Sequence, residues 1–324
     1  MRLVRALTSL VVAAVVAHGP VAPPAMAGPA QGIARAAAPA WLDCPSQETL
    51  RSARGVVLLV PGTGSKPEEA WSWGYAPALA ADGFATCTVA LPDDGLGSFT
   101  TAATRVRRAI KATARLAERR ISVVGHSQGG ALPVWAVKFW PGAAEKVKDV
   151  ISLAGPFGGT QLGNELCTAG RCATLAWQLR VGAQHVSALQ HAPLPTGRRA
   201  PSVTSIAGLY DEIVRPQPAA SRLDGAANVV LQDVCAHDPS EHGLILGDPV
   251  GYALTIDALT HRGPADPGRL PATTCEQTFI PHGDLAGSYV FLESVTRFTT
   301  GLLDPSRWVD AEPPVPAYAR PWAD

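Results

Sequence analysis

The sequence predicts an α/β fold: a mostly parallel central sheet with helices on both faces. Three observations carry the prediction. Ile121-Ser122-Val123-Val124 is a short, largely β-branched apolar run of the kind that forms a buried parallel strand, and a glycine-rich turn and an apolar helical stretch follow it. Gly55-Val56-Val57-Leu58-Leu59-Val60 is a second such run, and it ends in Pro61-Gly62-Thr63-Gly64. Residues 41–324 have the length of one α/β domain and contain no internal repeat, coiled-coil heptad or metal-spaced Cys/His cluster.

At the N-terminus, Met1-Arg2-Leu3-Val4-Arg5 carries positive charge, residues 6–17 form a short apolar stretch, and Ala25-Met26-Ala27 is a small-x-small cleavage site. That is the pattern of an export signal over residues 1–27, and the apolar stretch is short for a membrane anchor. The mature chain is expected to start near Gly28, with a disordered Pro/Ala/Gly-rich leader over residues 28–40. The whole chain carries no net charge, and removal of the signal takes Arg2 and Arg5 and leaves −2. No basic patch accumulates, which argues against nucleic acid as a partner.

The turn after residues 121–124 is Gly125-His126-Ser127-Gln128-Gly129, a Gly-x-Ser-x-Gly pattern between strand and helix. Such a turn strains the serine backbone and lifts its hydroxyl clear of the sheet, and flanking glycines avoid collision with the neighbouring strand and helix. A serine so placed points to nucleophilic acyl chemistry. Residues 130–140 read as the helix, with Pro133 in its first turns, where a missing N–H costs least, and Pro141-Gly142 as its stop. The loop 61–64 suits half of an oxyanion hole, with Thr63 as one donor and the N–H of Gln128 as the other.

The nucleophile needs a base, and the base an orienting acid, in the chain order Ser, acid, His. Residues 203–210 read as a strand ending at Asp211-Glu212, and residues 228–235 as another, followed by a loop with His237 and His242. Asp211 is closer to the strand end than Glu212, which would face the other way in extended chain. His242, in Ser240-Glu241-His242-Gly243, opens a helical-looking segment at 244–246 and is favoured over His237, which a disulfide at Cys235 would restrict. His185, His191, His261 and His282 have weaker claims. His126 reads either as a second titrating group beside the serine or as a histidine packed under the turn.

Six cysteines in an exported chain imply disulfides. Cys167 and Cys172 are close enough to pair across a tight loop, and spacing alone leaves Cys44, Cys87, Cys235 and Cys275 open.

In this order, Leu58-Leu59-Val60-Pro61-Gly62-Thr63-Gly64, Ser127-Gln128-Gly129-Gly130, Phe139-Trp140-Pro141 with Lys146-Val147, residues 211–217 (Asp-Glu-Ile-Val-Arg-Pro-Gln) and the tail from Glu312 to Pro321 resemble the family of lipase B of Candida antarctica and its bacterial relatives. The resemblance implies an α/β-hydrolase fold and activity on carboxylic esters. It implies Ser127, Asp211 and His242 as the triad, Thr63 and Gln128 as oxyanion donors, and Ile213 and Val214 as pocket lining. It also implies the pairings Cys44–Cys87 and Cys235–Cys275, with Cys167–Cys172 an addition of this chain near the pocket mouth. Gly125-His126 stands where that family has Thr-Trp, and Ala154-Gly155-Pro156-Phe157 replaces a segment that carries a pocket aspartate there.

The sequence thus leads to a secreted serine ester hydrolase of lipase or esterase type, working through an acyl-enzyme, without metal or organic cofactor. The expected partner is a small-molecule or lipid ester, with transient contact at a lipid interface and a monomeric protein. The alternatives are another acyl-transfer enzyme on this scaffold (polyester depolymerase, acyltransferase or peptidase) and a non-catalytic binding protein.

Overall fold

The computed structural model describes residues 38–324. The export signal and the leader up to residue 37 lie outside the described residues.

Leu42–Asp43 (β1), Gly55–Val60 (β2), Phe84–Val89 (β3), Ile121–His126 (β4) and Val147–Leu153 (β5) are followed by the two-residue strand Cys172–Ala173 (β6). Ser202–Ala207 (β7), Ala227–Val230 (β8) and Trp308–Val309 (β9) complete the strands. Seven of them form one sheet in the order β1-β3-β2-β4-β5-β7-β8. All its pairs are parallel except β1 with β3. The carboxyl ends of its parallel strands therefore share one edge, where an α/β protein builds its site.

Two-residue alternation along β2 divides the core. Val56, Leu58 and Val60 face one hydrophobic cluster, and Val57 and Leu59 face another. The first cluster lies under Phe99–Ala117 (α1) and Gln128–Phe139 (α2), and the second under Pro249–Thr260 (α3). In α1 the buried Phe99, Ala102, Ala103, Val106, Ala109 and Ile110 recur at three- and four-residue steps, the stripe of a helix packed on a sheet. Phe291–Leu303 (α4) crosses the site edge, and its contacts are described below.

Three expectations from the sequence shift. The strand read over 203–210 ends at Ala207, because the Asp211 N–H donates to the Gly208 carbonyl and closes a turn at 3.3 Å. The strand read over 228–235 is β8 followed by a helical turn, Leu231–Val234. Gln232 explains the break, since its side chain accepts from the Leu209 N–H and donates to the Asp238 carbonyl, bonds that need a turn at that point. Pro133 lies in the interior of α2 rather than its first turns, because the helix already starts at Gln128. The missing N–H is the one that would reach the Gly129 carbonyl. That carbonyl is packed instead against Gly125, where a Cβ would meet it at 2.0 Å.

All three disulfides form: Cys44–Cys87, Cys167–Cys172 and Cys235–Cys275. Cys167–Cys172 joins the short helices Gln161–Leu166 and Thr174–Leu179, and β6 between them pairs with β9 of the C-terminal arm. The arm then runs to Tyr318, whose ring packs on Trp135, Phe139 and Trp140.

Candidate active site

β4 ends at His126, and Ser127 takes φ 56° and ψ −130°, a conformation rarely adopted by a residue with a side chain. The strain is held by its surroundings. The Ser127 N–H donates to the Leu153 carbonyl at 2.8 Å. A Cβ on Gly129 would come within 2.4 Å of the Val60 carbonyl, so only glycine lets α2 approach β2 here.

Three loops from the same sheet edge meet at this serine. His242, in the loop beyond β8, places Nε2 3.0 Å from Ser127 Oγ. Its Nδ1 lies 2.8 Å from Asp211 Oδ2. A carboxylate accepts, so Nδ1 carries the proton and Nε2 is left to accept from the serine hydroxyl. The other Asp211 oxygen accepts the N–H groups of Ile213 and Val214 at 2.9 and 2.7 Å, which fixes the carboxylate plane. Asp211 thus stands in the turn after β7 rather than at the strand end. Burial works against charge on His242, but the Asp211 carboxylate and its hydrogen bond, then Glu212 and Glu241, outweigh it and raise the imidazole above its ordinary value.

The loop after β2 lies alongside. Thr63 Oγ1 donates to Gln128 Oε1 at 3.0 Å, so the Gln128 side chain ties the loop after β2 to the start of α2. Gly64 is held on both sides: its N–H donates to the Asp94 carbonyl, and its carbonyl accepts from Arg297 of α4, each at 2.7 Å.

A narrow apolar pocket of about 40 Å³ opens beside the serine, with Ser127 and Thr63 in its lining. Ile213 and Val214 are among its lining residues. The helices flanking Cys167–Cys172 contribute Leu162, Leu166, Leu175 and Leu179, and α4 contributes Phe298 and Leu302. Among the described residues no group of three His, Cys, Asp or Glu side chains is arranged to hold a metal ion.

Of the other candidates, His237 is exposed and outside the site. Glu212 does not orient the imidazole; its carboxylate accepts the His242 main-chain N–H at 3.3 Å. His185 pairs with Glu312 of the arm, and His261 with Asp257. His126 is packed under the turn: burial drives its imidazole down to about 3. The sequence reading missed the strut role of Gln128 and the contact of Arg297 with the loop after β2. The first had a signal in its place beside Ser127, whereas the second joins residues too far apart for any local pattern.

A strained serine at a strand-to-helix elbow, met by a histidine and an acid from later loops at one edge of a parallel sheet, defines the α/β-hydrolase class of fold. No family model matches the chain. It is 26% identical to lipase B of Pseudozyma antarctica over 279 residues, which are 82% of this chain and 80% of that protein. It superposes on the crystal structure of Aspergillus fumigatus lipase B with a TM-score of 0.75 and 24% identity, covering 86% of this chain and 70% of that one. On Bacillus licheniformis lipase BlEst2 in its propeptide form the TM-score is 0.55 at 14% identity, over 71% of this chain and 56% of that one. In sequence and fold the chain is similar to these lipase B proteins, and the similarity extends over most of its length.

Proposed function

We propose that this protein is a secreted carboxylic-ester hydrolase that works through an acyl-enzyme on Ser127. The observation that carries the reading is the relay Ser127 Oγ, His242 Nε2, His242 Nδ1, Asp211 Oδ2, with links of 3.0 and 2.8 Å beside an apolar pocket. The lipase names of the similar proteins agree with it.

Ser127 Oγ attacks the ester carbonyl as its proton passes to His242 Nε2. Asp211 keeps the proton on Nδ1 and stabilises the imidazolium that forms. Negative charge then develops on the former carbonyl oxygen, which the Gln128 N–H and Thr63 receive; one such donor is worth about 3 kcal/mol. Collapse of the intermediate breaks the bond to the leaving alcohol, which takes the proton from His242. Water attacks the acyl-enzyme with His242 again as base and releases the acid. The leucine-lined pocket suits the acyl chain, because it buries methylenes and offers few polar groups to desolvate.

The test is an activity profile of the secreted protein on esters from acetate to long-chain triglycerides, with labelling by a serine-directed phosphonate. The reading expects turnover of apolar acyl esters and a single label on Ser127, both absent in Ser127→Ala. A folded parent that takes no label, or that turns over peptides and not esters, refutes it.

A further inference from the structure

His242 sits in a loop, with no long helix or strand to carry it, yet both of its main-chain polar groups are met by side chains. Nε2 of His126, the residue before Ser127, lies 2.8 Å from the His242 carbonyl oxygen. A carbonyl only accepts, so His126 Nε2 carries the proton and its Nδ1 is bare. Opposite, Glu212, the residue after Asp211, accepts the His242 N–H at 3.3 Å. The neighbours of the two residues that hold the imidazole thus hold the backbone behind it.

The chemistry of His126 favours this role over simple space-filling. The side chain is 2% exposed, its ring is 4.8 Å from that of His242, and Phe291 of α4 packs edge-on against it. Its Nδ1 is buried and has no partner among the described residues. An unpaired buried acceptor carries a desolvation cost that an aromatic hydrocarbon ring would avoid. The Nε2–H bond to His242 is what the imidazole supplies in exchange. The neutral ring also adds no positive charge beside His242 when that residue takes the serine proton.

We propose that His126 is a positioning residue for His242: its Nε2–H, together with the Glu212 carboxylate opposite, holds the main chain of the base so that the imidazole stays aligned through both half-reactions. This rests on the reading of His242 as the base. The need is greatest in the acyl-enzyme. There Ser127 Oγ is esterified and no longer donates to Nε2, so Asp211 and the main chain alone keep the ring in place as water arrives.

The experiment measures kcat and KM of the purified protein on a soluble p-nitrophenyl ester for the parent, His126→Phe, His126→Gln, Glu212→Leu, Glu212→Gln and His242→Ala, each with a thermal melt. His126→Phe keeps the ring and loses the donor; its kcat should fall about ten- to hundredfold, with KM within about twofold of the parent. His126→Gln, whose amide nitrogen reaches about as far as Nε2, should regain most of that loss. A folded His126→Phe with parental kcat overturns the proposal, and so does a His126→Gln no better than His126→Phe. If His126→Phe does not fold, the Glu212 pair decides. Glu212→Leu must lose turnover and Glu212→Gln, which keeps an acceptor, must recover it; equal values overturn the proposal. Turnover retained in His242→Ala refutes the base assignment instead, and is read without reference to the His126 series.

Discussion

Arg297 Nη1 donates to the Gly64 carbonyl at 2.7 Å, which pins helix α4 to the loop after β2. The same guanidinium holds Glu69 with two nitrogens, at 2.7 and 2.8 Å, and Ser294 Oγ donates to the same carboxylate. Glu69 is almost wholly buried. Burial opposes its charge, but Arg297, the Lys66 N–H and Ser294 prevail and bring it down to about 2. One ion pair thus couples a wall of the pocket to the loop that carries Thr63 and Gly64.

Removal of one partner of this pair should cost more than removal of both. Arg297→Met leaves a buried carboxylate uncompensated and should lower unfolding free energy by about 3 kcal/mol, with a loss of turnover as Gly64 is released. The double variant Arg297→Met/Glu69→Gln should recover much of the stability. Because the folded value of Glu69 lies below the ordinary 4.5, its contribution is full above pH 4.5 and fades as pH falls toward about 2. Denaturant midpoints for the single and double variants check this; equal losses in both would show that the charge is not the cause.

Replacement of His242, the proposed base, should be far more damaging than replacement of His237. His242→Ala should lower kcat by about 10⁴-fold or more with the fold intact. His237→Ala should be mild, because that side chain is exposed and outside the site. Steady-state kinetics on a soluble ester decide the matter, and a reversed order would give the base role to His237.

The pH–rate profile has a definite sign. His242 acts as base only when neutral, and its pKa is raised above 6.5, so activity should be lost on acidification through a midpoint above 6.5. His126 protonates only near pH 3, so the limb should persist in His126→Gln. The measurement is kcat/KM against pH for both proteins. A midpoint below 6.5, or a limb that vanishes with His126, contradicts the assignment.

The disulfides should differ in their contribution to stability. Cys44–Cys87 spans 43 residues and Cys167–Cys172 spans 5. In the chain-entropy model the first is worth about 4 kcal/mol and the second about 2. Paired Cys→Ala variants and denaturant unfolding test the ranking. Loss of Cys167–Cys172 should also alter activity, since the helices it joins line the pocket.

Filling the pocket should shorten the preferred acyl chain. Leu162 lines it from a half-buried position, so Leu162→Trp adds volume there with limited strain on the core. Turnover of long-chain esters should drop about tenfold or more relative to acetate esters. An unchanged chain-length profile would place the acyl chain elsewhere.

What was legible in the sequence is local in origin. The Gly125 position follows from contacts within one strand, turn and helix, where a Cβ would meet the Gly129 carbonyl at 2.0 Å, and that steric demand is written in residues close together in the chain. The β2 run is apolar throughout, and the β4 run is apolar apart from Ser122 up to the turn, because both faces of a parallel sheet are covered. The order of Ser127, Asp211 and His242 follows from the order of the strands that deliver them to one edge.

The tertiary structure decided the rest. Arg297 and Glu69 are 228 residues apart, and His126 and His242 are 116 apart, so no periodicity links them. Whether His126 titrates beside the serine or packs beneath it, and whether His242 is raised or lowered, depends on burial and on which carboxylates face each ring. Residues 231–234 follow directly on the β-branched Val229-Val230 yet turn as a helix, because Gln232 bridges two loops that come together only in the folded chain. Local sterics act between neighbours and can be read from a sequence; desolvation, charge and long-range hydrogen bonds depend on distances that exist only once the chain is packed.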